Sequence, residues 1–99
     1  MNVVINATNF EADSKLKSFI TKKLGKLETF FDKIINAEVF LKLANRESIK
    51  DKTVEIKVHI PGKIIFVEQT SKSFEESTDI ALDTMARQIK KQKEKVRVY

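Results

Sequence analysis

The chain has 99 residues, 41% hydrophobic and 33% charged, with two glycines, one proline and no cysteine. This predicts a single soluble domain in a reducing cytoplasm, and it excludes a disulfide framework, a Cys-based zinc site and a thiol nucleophile. Nineteen Lys and Arg against fourteen Asp and Glu leave a net charge of +5, which favours polyanionic partners.

No apolar run approaches the ~20 residues that cross a bilayer, and the opening "MNVVINATNF" lacks a basic stretch followed by a hydrophobic one, so no membrane association is expected. Residues 2 to 8, with Val3, Ile5 and Ala7 in alternation, predict a first strand, and Asn6 to Glu11 a polar connection. From Asp13, a predicted N-cap, Leu16, Phe19, Ile20, Leu24, Leu27, Phe30 and Phe31 recur at three and four residues, which predicts an amphipathic helix reaching about Phe31. Val39 to Leu43 alternates as a second strand, and "ANRESIKDK" is a polar loop. Val54, Ile56, Val58 and Ile60 alternate with Glu55, Lys57 and His59 in a third strand. Pro61-Gly62 suits a type II turn into a fourth, about Ile64 to Thr70. Ser73 and Glu76 form a capping box ahead of a second helix with the apolar stripe Phe74, Ala81, Leu82, Met85 and Ile89.

The order βαβββα predicts an α+β fold, a four-stranded mixed sheet with two helices packed side by side on one face, in the manner of double-stranded RNA-binding domains. A parallel crossover joins the first two strands and an antiparallel meander the rest. The opposite face is expected to be partly wet, with Phe40, Lys42, Glu55, Lys57, His59 and Phe66 on it; the two phenylalanines are expected to pack across strands, the alternative being an exposed partner site.

On a helical wheel Lys15, Lys22, Lys26 and Lys33 fall within about 20° of one another and form a ridge if the first helix reaches Lys33. Lys23 falls inside the apolar stripe, so its ammonium must leave through the groove between the helices. A mid-helix glycine costs ~1 kcal/mol relative to alanine, and Gly25 is expected to admit another backbone or a ligand. The second helix holds Glu75, Glu76, Asp79 and Asp83 in its first half and Arg87, Lys90, Lys91, Lys93 and Lys95 in its second. Helix-dipole complementarity fades within a turn and explains only part of a basic segment that continues for about three turns. Side by side, the helices would merge these bases into a band suited to phosphates. No aromatics interleave with them, so the expected contact is to backbone and shape.

Catalysis finds no support. His59 is the only histidine and is expected to be a solvated strand residue. The acids of the second helix are expected to cap it rather than bind a cation, and the two glycines lie too far apart for a phosphate loop. No enzyme activity, metal or cofactor is expected.

"KKLGKLETFFDKIINAEVFLKL", residues 22 to 43, and "SFEESTDIALDTMARQIKKQKEK", residues 73 to 95, resemble the short hibernation-promoting factors, the ribosome-associated inhibitor family also known as sigma-factor modulation proteins. The most specific pieces are Lys23, Lys26, Leu27 and Glu28, and Arg87, Gln88, Ile89 and Lys91. The resemblance implies binding to the small ribosomal subunit between head and body, over the sites of mRNA and of A- and P-site tRNA, which stops translation in stationary phase or stress. It further implies that Lys23, Lys26, Arg87, Lys91, Lys93 and Lys95 touch rRNA phosphates; Lys22 and Lys90 join them from the wheel. The chain departs from the family's Asp-x-Tyr at the start of the second helix, having Ser73-Phe74-Glu75. It ends at Tyr99 without the dimerisation domain of the long forms, so it is expected to be a monomer that pairs ribosomes only through a separate partner. The alternatives are a general double-stranded RNA module and a protein-interaction module for an acidic regulator.

Overall fold

The computed structural model describes residues 1–29, 31–43 and 51–97, with residues 93–97 described by their backbone alone. The strands are β1 (Asn2–Thr8), β2 (Asn36–Leu43), β3 (Lys52–Ile60) and β4 (Lys63–Ser71); the helices are α1 (Ser14–Gly25) and α2 (Phe74–Arg97). They follow the predicted βαβββα order, and the sheet order is β1-β2-β3-β4. β1 pairs parallel with β2, and the remaining pairs are antiparallel.

β1 and β4 therefore point the same way, and both helices begin at the same end of the sheet. α1 must run back to reach the start of β2, and α2 packs along β4 and β3. Their starts are tied by Phe10 and Phe74, whose rings stack at 5.1 Å with 8° between planes. Phe10 lies in the connection that the sequence marks only as polar, just after Asn9, which takes the left-handed conformation (φ 67°) that Asn tolerates.

Alternation explains which side chains enter the core. Ala37, Val39 and Leu41 of β2 and Val54, Ile56 and Val58 of β3 are all fully buried beneath the helices. α1 contributes Leu16, Ile20 and Leu24; α2 contributes Phe74, Ala81, Leu82, Met85 and Ile89. Two polar residues, Ser77 and Thr78, are equally buried on α2. Ser77 Oγ donates to the Lys52 carbonyl at 2.6 Å and lies 3.0 Å from Ser71 Oγ, so its hydroxyl is satisfied at the junction of β3, β4 and α2.

Both predicted N-cap side chains accept a backbone N–H, and of the capping box it is the Ser73 half that is seen. Asp13 Oδ1 accepts the Leu16 N–H at 2.8 Å, and Ser73 Oγ accepts the Glu76 N–H at 3.0 Å. Several expectations need correction. α1 stops at Gly25 and continues only as a 3-10 turn, Lys26–Thr29, so Lys33 is off the helix and the four-lysine ridge does not extend to it. Leu27 is buried from that turn, which is why an apolar period alone suggested a longer helix. Phe30 and most of the loop "ANRESIKDK" lie outside the described residues. β2 begins at Asn36 rather than Val39, because Asn36 and Glu38 pair with His59 and Lys57 although they carry no apolar signal.

Candidate nucleic-acid interface

Lys23 leaves the apolar stripe of α1 through the helix–helix groove. Its Nζ lies 3.3 Å from Asp79 Oδ1 on α2 and 5.4 Å from the centre of the Phe19 ring. The cation is thus held by an acid of the neighbouring helix and stands over a half-buried aromatic. Gly25 plays no part in closing the groove. A Cβ built there would meet nothing within 4 Å, so the glycine marks the α-to-3-10 junction and not a close approach.

Lys22 on α1 and Lys26, the first residue of the 3-10 turn that follows it, are both exposed. On α2 the wheel places Lys90 about 20° from Asp79, on the flank that meets α1, and turns Arg87 and Lys91 further out. Arg87 is internally engaged: Nη2 donates to Thr84 Oγ1 at 3.3 Å, and Nη1 lies 3.9 Å from Asp83 Oδ2. Lys22, Lys26, Lys90 and Lys91 have no ion-pair partner among the described residues. Lys93 and Lys95 belong to the same helix, but their side chains lie outside the described residues.

The helices run in the same direction and Lys23 is level with Asp79, so the bases do not face each other across one groove. Lys90 lies about 16 Å further along α2. The cations of α1 sit opposite the acidic half of α2, and those of α2 follow beyond. They form a line along the helical face rather than two facing walls.

The opposite face of the sheet has different chemistry. Lys42 Nζ lies 2.8 Å from Glu55 Oε2, and this hydrogen bond raises the lysine and lowers the carboxyl. Glu68, directly across from Glu55, is pushed up from its ordinary value, first by a hydrogen bond with Glu55 and then by burial and the like charge. His59 Nε2 meets Glu38 Oε1 at 2.8 Å, so the histidine is an anchored cross-strand partner rather than a solvated one. Phe40 on β2 and Phe66 on β4 are not cross-strand partners of each other, because β3 lies between them; each meets Lys57 of that strand instead. Lys57 of β3 is opposite Phe66, and its Nζ lies 5.4 Å from the centre of the Phe40 ring. Among the described residues no three His, Cys, Asp or Glu are grouped to hold a metal ion, and no helix is long and apolar enough to cross a membrane.

The mixed sheet, the paired helices on one face and the unpaired lysines along their outer edge define a small basic α+β protein whose helices carry the surplus charge. The family is narrower. Residues 3–97 match the family described as sigma 54 modulation protein / S30EA ribosomal protein, and the chain belongs to it. A ribosome hibernation promoting factor of Pseudomonas putida is 33% identical over 95 residues, covering 96% of this chain and 89% of that protein. Its counterpart in Escherichia coli is 31% identical over 99 residues and aligns over the full length of both chains. A ribosomal subunit interface protein from Coxiella burnetii shares the fold, with a TM-score of 0.84 and 22% identity over 94% of this chain and 98% of that one.

Proposed function

We propose that the chain is a ribosome hibernation factor of the cytoplasm. It binds the small ribosomal subunit at the decoding channel, occupies the region of mRNA and of the A- and P-site tRNAs, and stops translation without catalysis. Family membership and the names of its relatives support the ribosome as partner. The observation that carries contact with rRNA is the line of exposed lysines with no ion-pair partner among the described residues, Lys22, Lys26, Lys90 and Lys91, on one side of a chain of net charge +5. Phosphates would replace the solvent around those ammonium groups and release counterions, a contact that needs no reading of bases. Lys93 and Lys95 extend the line, and Lys23 and Arg87 contribute in spite of their acidic neighbours. Inhibition is steric, the molecule measuring 50 × 24 × 18 Å.

Co-sedimentation with purified small subunits tests the binding, and competition with P-site tRNA tests the location. The chain is expected to pellet with the subunit and to be displaced by tRNA. Failure to bind at low salt would sink the proposal, and binding that coexists with tRNA and mRNA would move the site elsewhere.

A further inference from the structure

The sheet face turned away from the helices is open, and its register sets out a charge map. Glu38 lies opposite Lys57, Phe40 opposite Glu55, and Glu55 opposite Glu68. On this face of the four strands Lys42 and Lys57 stand against Glu38, Glu55 and Glu68, with His59 bonded to Glu38, so in a chain of net charge +5 this is a face where carboxylates outnumber lysines by one. Apolar side chains border the acids: Val4, Ile64 and Phe66 are 51%, 55% and 49% exposed. A patch that combines exposed apolar groups with a surplus of one charge is suited to a partner of the opposite sign.

A nucleic acid fits this face poorly. Its phosphates would meet more carboxylates than ammonium groups, and Lys57 already covers Phe40, which removes one of the two aromatic surfaces on which a base could stack. The positive charge of the whole chain favours an acidic protein partner, but the sign here is reversed.

We propose that the open sheet face docks an extended polypeptide segment in which Lys or Arg alternates with apolar residues. Glu55 shares Lys42, while Glu68 faces Glu55 with no cation bonded to it among the described residues. A guanidinium arriving between these two carboxylates relieves a like-charge opposition that the sheet itself leaves in place. Apolar side chains of the segment would at the same time cover Phe66 and Ile64. The surface lies opposite the helices, so it can be engaged whether or not they hold RNA.

Titration of the isotope-labelled full chain, followed by NMR, tests this with three probes: a nine-residue peptide alternating Arg and Val, a matched peptide alternating Glu and Val, and a ten-nucleotide oligouridine. The Arg–Val peptide is expected to shift signals of Phe40, Glu55, Phe66 and Glu68 to saturation. Phe66→Ala, and Glu55→Gln with Glu68→Gln, should each weaken it at least fivefold. Equal charge removal at Glu75 and Glu76 of α2 should leave its affinity unchanged. Glu68→Gln alone, which lifts the like-charge opposition and leaves the Lys42–Glu55 pair in place, should also weaken the peptide, so that loss cannot come from unfolding, and retained amide dispersion verifies each variant. The proposal is overturned if the Arg–Val peptide leaves the sheet signals unmoved or shifts only those of Glu75 and Glu76. It is equally overturned if the Glu–Val peptide or the oligouridine moves the sheet signals instead.

Discussion

Lys23 sits where an apolar residue would normally complete the α1 stripe, and Asp79 makes that placement tolerable. The pair is partly solvated, its side chains 33% and 53% exposed, so the Coulomb gain is screened. Double-mutant analysis of Lys23→Ala and Asp79→Ala by urea unfolding should give a coupling of about 0.2–1 kcal/mol that shrinks with added salt. Additive effects would mean that the contact is only geometric. The carboxylates of the open face act in opposite senses with pH. Glu55 is lowered by Lys42, so its contribution to stability is present at neutral pH and is lost as pH falls through its folded pKa. Glu68 is raised by Glu55, so its contribution is present in acid and is lost as pH rises through its folded pKa. Glu68→Gln should therefore stabilise the protein at pH 7 by roughly 0.2–0.5 kcal/mol and do nothing at pH 3, where the carboxyl is protonated in both states. Urea unfolding at the two pH values checks it; a loss of stability at pH 7 would contradict the like-charge reading.

At the scale of elements, the two glycines predict opposite signs. Gly62 has φ 79° in the β3–β4 turn, whereas Gly25 is helical with open space where a Cβ would stand. Gly25→Ala should stabilise by about 0.4–1 kcal/mol through the unfolded chain, and Gly62→Ala should destabilise by about 1–2 kcal/mol. Thermal unfolding distinguishes them. The same contrast shows what periodicity can and cannot reveal. The period-2 pattern of Val54, Ile56, Val58 and Ile60 and the Pro61-Gly62 turn were enough to place β3 and β4, because each side chain reports its own face. The end of α1 was not legible. Leu27 and Phe31 keep apolar spacing after the helix has tightened into a 3-10 turn, and hydrophobicity does not register backbone pitch. Ser77 and Phe10 were missed for a related reason, since their burial depends on elements remote in sequence: β3 and β4 for the hydroxyl, the start of α2 for the ring. The basic residues were visible as a set. Which of them have an acid beside them was not, because the Lys23–Asp79 contact exists only once the helices are docked.

That distinction governs what the whole molecule can offer to a polyanion. Lys22 on α1, Lys26 in the 3-10 turn after it, and Lys90 and Lys91 on α2 bring charge with no acid paired to them among the described residues, whereas Lys23 must give up Asp79 and Arg87 the neighbourhood of Asp83. If four to eight phosphates are neutralised in the ribosomal complex, log affinity against log salt should have a slope of about −3 to −6. Replacing both members of an unpaired set, Lys22→Gln with Lys26→Gln or Lys90→Gln with Lys91→Gln, should make that slope shallower by about 1.4. Lys23→Gln should change it by less than the ~0.7 of one free contact, because Asp79 is released at the same time and repels the same phosphates. None of the exposed lysines supports the core, so the unpaired variants should retain the parent's unfolding midpoint. The measurement is sedimentation with small subunits from about 50 to 200 mM salt. A slope that Lys23 controls more strongly than Lys22 and Lys26 together would place the phosphates in the groove between the helices instead of along their outer edge.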